Sequence, residues 1–316
     1  MRHGINLRKL KNKYAYRGFP AKFRKILRKN LLRPLISKHI LNKANTLAVI
    51  ALFLLAVFLF LRPSVPSKVP DADNFAAFSF SPNTISDIKE ISEKYGYNFY
   101  EMMFVYSAEC SFAEEKELNI RSKEQIEKML VADYKNIRKK YKISESVKYE
   151  KLLENILGEI KYFPVEQGSA SYIYGDSWGN ARNYKGNRRH LGCDIMDREN
   201  IRGRLQVKSM TDGVIQNIGW NELGGYRVGI TASSGTYYYY AHLESFAEGL
   251  EKGSFITAGQ TIGYMGDTGY SKDEGTTGNF AVHLHVGIMP VLDNKKDYWI
   301  NPYPFLRFIE QEKTEI

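Results

Sequence analysis

Histidine is the residue type in this chain that offers the most chemistry, and its distribution is uneven. Two of the six histidines lie in the first 45 residues, among many lysines and arginines. The other four all lie in the second half of the sequence and are His190, His242, His283 and His285. A neutral imidazole can bind a metal ion or accept a proton near neutral pH, so these four residues define the candidate site.

The segment HLGCD places His190 and Asp194 four residues apart. In an extended chain, residues i, i+2 and i+4 share a face, so these two side chains should point the same way. Cys193 should point the opposite way, into the core, where a small apolar thiol is at home. By the same rule, His283 and His285 of the segment HLH share a face.

Two histidines and one carboxylate are a common ligand set for catalytic zinc and leave a fourth position open for water. His190, Asp194 and one histidine of HLH would complete such a set, and the spacing leaves open which histidine it is. A bound zinc ion would lower the pKa of its water toward about 7 and polarise a peptide carbonyl. The chain has no HExxH segment that could supply a glutamate base. The other HLH histidine and His242 are therefore the candidate bases.

The elements that must position these residues are short β-strands. After Phe163, glycine becomes frequent and separates runs rich in β-branched and aromatic residues, such as LQVKS, YRVGITA, TYYYYAH and VHLHVGI. Strand and helix patterns do not alternate, so we predict a mainly antiparallel β domain rather than a doubly wound parallel sheet. By strand alternation, Tyr238 and Tyr240 share the face of His242, and both groove lining and core packing remain open for them.

A small α-helical module is predicted ahead of this domain, over residues 84–160. Thr84 and Asp87 resemble a capping box, and Gly96 marks a helix end. Apolar residues then recur at helical spacing up to residue 160, which predicts a shared core without chemistry of its own. Residues 62–83 contain four prolines among serines and are predicted to form an extended linker.

The N-terminal part of the chain predicts a membrane anchor. Residues 46–61 are sixteen uncharged, mostly apolar residues, which as a helix would be about 24 Å long. A buried core helix would keep a polar face, and a cleaved signal peptide would end in a small-x-small site that is missing here. Residues 1–45 hold fourteen Lys and Arg and no Asp or Glu. The positive-inside rule therefore places the N-terminus in the cytoplasm and everything after Arg62 outside.

Composition narrows the function classes. With 43% hydrophobic and 25% charged residues the chain is globular, which excludes global disorder, collagen and a polytopic membrane protein. The net charge of +10 comes from residues 1–45. Without the fourteen basic residues of this tail, the rest of the chain has 31 basic residues (45 − 14) and 35 acidic residues. We therefore expect membrane contact and no nucleic-acid partner. Two cysteines, Cys110 and Cys193, are too few for a disulfide scaffold, and their pairing remains open.

Four separated motifs together resemble a known family. The segments HLGCD, YYAHL, GQTIGYMGDTGYS and HLHV are similar to those of the M23 zinc metallopeptidases, the LytM/lysostaphin-type cell-wall endopeptidases, and occur in the family's order. The resemblance extends from about residue 162 to residue 308. The stretch KDEGTTGNFAV before HLHV is longer than in the family, which bears on the shape of the groove.

This resemblance implies a compact antiparallel β fold with a zinc site in an open groove. It implies that the zinc ligands are His190, Asp194 and His285, the second histidine of HLH. His283, the first histidine of HLH, and His242 of YYAHL would form the catalytic pair. Which of the two is the general base stays open.

We therefore predict a single-pass membrane protein with a cytoplasmic tail (1–45), an anchor (46–61), a linker (62–83) and a helical module (84–160). An extracytoplasmic peptidase domain (161–308) and a short C-terminal tail (309–316) follow. The predicted activity is hydrolysis of peptidoglycan peptides with one Zn²⁺ per chain. The alternative is a non-hydrolytic envelope scaffold or sporulation-type channel component that binds a protein partner through the same fold.

Overall fold

A computed structural model of the chain describes residues 72–110, 121–132, 143–165, 171–292 and 297–314. They all belong to one compact unit, Val65–Ile316. The predicted tail (1–45), the anchor (46–61) and the linker up to residue 71 lie outside the described residues. Within the described ranges, no helix is long and apolar enough to cross a membrane.

The described helices lie mostly ahead of the sheet, and one follows it. In chain order they are α1 (Ala72–Ala77), α2 (Pro82–Tyr95), α3 (Phe99–Glu109), α4 (Lys123–Val131), α5 (Ile143–Glu159) and α6 (Tyr303–Thr314). Helix α3 is almost wholly buried and contacts α2, α4 and α5. The predicted helical module therefore packs around a central apolar helix.

Helix α2 begins earlier than the sequence pattern indicated. Its N-cap is Ser81, whose hydroxyl accepts a hydrogen bond from the Thr84 amide, and Pro82 occupies the first helical position. Proline is favoured there because it lacks an N–H and its φ is already helical. The C-terminal end is as predicted, since Gly96 adopts a left-handed conformation with φ of 67°.

Two helices extend into segments for which no helix was predicted. Helix α1 lies within the predicted linker 62–83, and α6 continues past residue 308 into the predicted tail. The predicted linker also contains an aromatic cluster. The rings of Phe75 and of Tyr149 in α5 lie 4.6 Å apart between centroids, and the rings of Phe78 and Phe80 meet edge to face. Burial of these rings stabilises a short helix that composition alone did not indicate.

The predicted antiparallel β class is confirmed. The strands are β1 (Tyr172–Tyr174), β2 (Ala181–Arg182), β3 (Arg188–Arg189), β4 (Cys193–Asp197), β5 (Gln206–Lys208), β6 (Gly213–Asn221), β7 (Gly225–Thr231), β8 (Tyr237–Phe246), β9 (Phe255–Ile256), β10 (Thr261–Met265) and β11 (His283–Met289). The main sheet has the order β1-β4-β11-β8-β7-β6-β9, and β10 bridges β8 and β5. Strands β2 and β3 form a separate hairpin.

The core lies on the sheet face opposite the candidate site. Leu284 and Val286 of β11 are fully buried there, as are Cys193 and Ile195 of β4. This burial confirms the predicted core position of Cys193 and raises the pKa of its thiol. Cys110 and Cys193 are both thiols and are not bonded to each other.

The helices and the sheet share this core, and specific hydrogen bonds join them. The Asn301 amide donates to the carbonyl of Ala76 in α1 at 2.7 Å. The Asn301 side chain donates to Asp176 at 2.9 Å, in the loop between β1 and β2. This loop supports the candidate site, so the N-terminal helical part holds the site loop in place.

Candidate metal centre and flanking histidines

Strands β4 and β11 are neighbours, and their register sets Asp194 directly opposite His285. Directly opposed residues of an antiparallel pair project to the same face, so the carboxylate and the imidazole meet. His285 Nδ1 lies 3.1 Å from Asp194 Oδ1, and His190 Nε2 lies 2.9 Å from the same oxygen. The two imidazole nitrogens are 2.8 Å apart. The structure thus brings the three predicted ligands together.

The loop between β1 and β2 fixes the His190 imidazole. His190 Nδ1 donates to the carbonyl of Ser177 at 2.8 Å, which leaves Nε2 as the nitrogen with the free lone pair. The Ser177 hydroxyl also accepts from the Asp194 amide at 3.1 Å. One residue therefore orients two of the ligands, as outer partners of metal ligands commonly do.

Asp194 carries a negative charge in this setting. Burial acts to raise the pKa of its carboxyl, but the close contacts with the imidazoles of His190 and His285 outweigh burial, and the pKa lies well below its ordinary value. Its second oxygen forms an ion pair with Arg182 of β2. Arg182 thereby fixes the carboxylate rotamer with Oδ1 toward the two histidines.

Gly192 of the HLGCD segment makes room for the His285 ring. A Cβ at this position would lie 2.4 Å from His285 Cε1 and 2.5 Å from the carbonyl oxygen of Val286. Both distances are far shorter than any real contact of a side-chain carbon. The glycine is therefore required by the close approach of the chain to β11, and its φ is ordinary.

His242 reaches the site through a break in strand β8. The pairing of β7 with β8 shifts register between Tyr226 and Val228, and His242 adopts a left-handed conformation with φ of 63°. This irregularity reverses the strand alternation and turns the imidazole toward β11. Its ring lies 4.7 Å from that of His283 between centroids.

The same break in β8 decides whether Tyr238 and Tyr240 line the groove or the core. Tyr238 and Tyr240 are fully buried on the core face and do not line the groove with His242. Tyr239 instead shares the site face, and its ring packs edge-on against His285 at 5.9 Å. Regular alternation had linked Tyr240 with His242 because the register shift is invisible in the sequence.

His242 and His283 are both neutral imidazoles whose tautomers are fixed by similar hydrogen bonds. His242 Nδ1 donates to the Thr268 carbonyl at 2.7 Å, and His283 Nδ1 donates to the Ala281 carbonyl at 2.7 Å. Burial lowers the pKa of both residues, for His242 to well below its ordinary value. Each ring therefore keeps Nε2 as a free proton acceptor at neutral pH.

Aromatic side chains from the chain segment before β11 pack against His242 and His283. The Phe280 ring lies 4.6 Å from His242 and 5.0 Å from His283 between centroids. Tyr270 packs edge-on against His242 at 5.9 Å. Phe280, which lies in this segment, therefore lines the groove beside both histidines.

The donor set fits a zinc ion. Three lone-pair atoms, His190 Nε2, Asp194 Oδ1 and His285 Nδ1, face one point and would repel one another without a cation between them. Their separations of 2.8 to 3.1 Å are within a few tenths of the ~3.3 Å that tetrahedral zinc bonds of about 2.0–2.1 Å would impose. Among the residues that the structure describes, His190, Asp194 and His285 form the group of ligand-type side chains close enough together to hold one metal ion.

Known proteins share this segment. The model of peptidase family M23 matches residues 188–302, which contain all five site residues. The L-Ala–D-Glu endopeptidase of Bacillus subtilis is 41% identical over 172 residues, which is 54% of this chain. The crystal structure of a candidate glycyl-glycine endopeptidase, LytM, of Ruminococcus gnavus is similar with a TM-score of 0.57. The two sequences are 37% identical, and the alignment covers 75% of this chain and 90% of that one. Residues 188–302 form a domain of peptidase family M23.

The chain is also similar to lysostaphin of Staphylococcus staphylolyticus, with 33% identity over 103 residues. That match covers 32% of this chain and 19% of lysostaphin. The chain spans 50% of the length of the Bacillus subtilis relative. The family match lies within the β domain that carries the site, whereas the alignment with the Ruminococcus gnavus structure covers 75% of the chain and extends beyond this domain.

Several residues of this M23 site escaped the sequence analysis. Ser177, Arg182 and Thr268 orient three of the five site side chains through backbone carbonyls or an ion pair. Thr268 lies in the GDTG turn, which had no sign of a role beyond turning the chain. No spacing rule links Arg182 to Asp194, because they meet through loop geometry.

Proposed function

We propose that this chain is a membrane-anchored zinc metalloendopeptidase that hydrolyses peptide bonds of bacterial peptidoglycan. The observation that carries the proposal is the convergence of His190, Asp194 and His285 on one point, with His242 and His283 beside them. Three protein ligands leave an open coordination position, which is typical of catalytic rather than structural zinc sites.

When bound, the zinc ion would supply Lewis acidity toward a peptide carbonyl and its attacking water. His190, Asp194 and His285 would hold the ion. His242 and His283 each present a neutral Nε2 that can accept a proton or hold one near the reacting peptide. Asp194 Oδ1 lies 3.8 Å from His283 Nε2, so a proton received there would be stabilised by a nearby carboxylate.

The choice of substrate is supported by the relatives. One of them cleaves between L-Ala and D-Glu, and D-amino acids in peptide linkage are characteristic of bacterial cell walls. The proposed location agrees with this substrate. Residues 46–61 would anchor the chain in the cytoplasmic membrane, and the basic residues ahead of them would keep the tail inside. The β domain would then face the wall.

The test measures zinc and activity on the purified full-length chain and on alanine variants of the five site residues. We expect His190→Ala, Asp194→Ala and His285→Ala to lose zinc and activity together. We expect His283→Ala and His242→Ala to keep most of the zinc but to cleave about 10²–10⁴-fold more slowly. Activity is the release of new amino groups from purified peptidoglycan.

His39→Ala is the matched control, since it removes a histidine far from the site in sequence, and it should change neither zinc nor rate. If His283→Ala loses zinc and His285→Ala keeps it, the ligand assignment within HLH is reversed. If all five variants retain full biological function, the site is vestigial. The scaffold alternative, with an envelope protein partner, would then replace the proposal.

A further inference from the structure

The hairpin of β2 and β3 beside the metal centre is strongly basic. Two of its cations have carboxylate partners: Arg182 pairs with Asp194, and Lys185 pairs with Glu222. Arg188 is different, because no described carboxylate forms an ion pair with it. Its Nε donates to the carbonyl of Tyr184 at 3.2 Å, and its Nη2 is buried without a hydrogen-bond acceptor, although the side chain as a whole is only partly buried.

The register of the hairpin turns Arg188 toward the site. Arg182 lies directly opposite Arg188, so both guanidinium groups project to the same face, and that face contains Asp194. Like charges at directly opposed positions destabilise a β ladder. Arg188 is also two residues before His190, and residues i and i+2 of an extended chain share a side. Ladder stability therefore does not explain an arginine at this position.

Aromatic contacts hold the Arg188 guanidinium near the proposed catalytic pair. It lies 5.3 Å above the Tyr270 ring, which stacks on Tyr184 at 4.6 Å between centroids. The Tyr270 ring in turn packs against His242. A cation–π contact of this kind orients the guanidinium without neutralising its charge. A fixed positive charge therefore lies one aromatic ring away from His242.

We propose that Arg188 selects an anionic substrate by binding a carboxylate on the residue next to the scissile bond. The proposal rests on the proposed function and names the substrate class of that same site. A guanidinium stays charged at any physiological pH and matches a carboxylate with two parallel hydrogen bonds. Arg182 cannot serve in this way because Asp194 already holds it. A cross-bridge made of glycine residues has no side-chain carboxylate, so Arg188 would have no group to bind in such a substrate.

The experiment compares two peptides that differ in one group. Both contain an L-Ala–D-Glu bond, and the glutamate carries either its free carboxylate or a carboxamide. We expect the zinc-loaded full-length chain to prefer the carboxylate peptide by about 10- to 100-fold in kcat/KM. Arg188→Gln should abolish this preference by slowing only the carboxylate peptide, and Arg188→Lys should keep part of it.

Arg189→Gln is the matched control, because it removes the same charge from the opposite face of β3 and should keep the preference. The ratio of two substrates in one preparation does not depend on the fraction of folded protein. Equal rates on the two peptides in the unchanged chain would overturn the proposal. So would an Arg188→Gln variant that slows both peptides equally, because Arg188 would then only support Tyr270.

If the chain cleaves neither peptide, the release of amino groups from purified peptidoglycan still decides the proposed function. Calorimetric titration of both peptides onto the zinc-loaded chain then decides the role of Arg188. Tighter binding of the carboxylate peptide that disappears in Arg188→Gln supports the proposal, and equal affinities refute it.

Discussion

Replacing Gly192 with alanine tests whether the close approach of two strands holds the metal centre together. The added methyl carbon would lie 2.4 Å from His285 Cε1, 2.7 Å from His285 Nε2 and 2.5 Å from the Val286 carbonyl oxygen. The His285 imidazole contacts Asp194 in its present position, and the carbonyl belongs to a strand paired on both sides. Either the ring or the β4–β11 pairing must therefore move.

The size of the effect follows from these contacts. Overpacking a well-packed site costs about 1–3 kcal/mol, and the backbone contact places Gly192→Ala toward the upper end. For a domain of this size, the Tm of the metal-free chain should fall by about 2–12 °C. A displaced His285 ring should also weaken zinc binding by about 10- to 100-fold, the range seen when a partner that orients a metal ligand is lost.

Two measurements check this prediction: thermal unfolding without metal and zinc titration in competition with a chromophoric chelator. Gly175→Ala is the control, since a Cβ there would meet no atom within 4 Å and its φ is not in the left-handed range. The control should behave like the unchanged chain in both assays. An unchanged zinc affinity in Gly192→Ala would show that the His285 ring has room to shift, and the packing argument would fail.

Three further predictions concern pH, backbone conformation and topology. Burial lowers the pKa of His242 and His283, so the unfolded chain takes up protons at a higher pH than the folded chain does. Stability and activity should therefore hold above about pH 6.5 and fall as the pH decreases toward the lowered pKa values. A cleavage rate that keeps rising in acid would contradict this. The left-handed φ of His242 should make His242→Gly about 1 kcal/mol more stable than His242→Ala in urea unfolding, the reverse of the usual order in strands. Protease added to wall-stripped cells should remove the β domain but spare the residues before position 46; a fully protected domain would contradict the predicted orientation.

Residue spacing predicted much of the site because strand geometry leaves few options. His190 and Asp194 converge as predicted, and His283 and His285 share a face of β11. The alternation rule also placed Cys193 in the core. These predictions needed only a local regularity, the period of two along an extended chain. The four β-rich runs named after Phe163 contain strands β5, β7, β8 and β11.

The elements that the sequence did not reveal depend on contacts between distant segments. Helix α1 exists because Phe75 meets Tyr149, which lies more than seventy residues away. Ser177 orients His190 from a loop whose own position depends on Asn301. Such contacts arise only once the chain has folded, and no local pattern encodes them. The anchor at residues 46–61 lies outside the described residues and stays a prediction.

His242 shows why a functional residue can contradict the pattern around it. In a regular strand it would point into the core with Tyr240, and the site would have one flanking imidazole instead of two. The register shift in β8 and a left-handed φ, which costs about 1–2 kcal/mol for a residue with a side chain, turn it outward. Two hydrogen bonds hold it there: its amide donates to the Gly224 carbonyl at 2.8 Å, and Nδ1 donates to Thr268 at 2.7 Å. Strain that the surrounding structure maintains at such a place is a sign of chemical use, because packing alone would have favoured the regular strand.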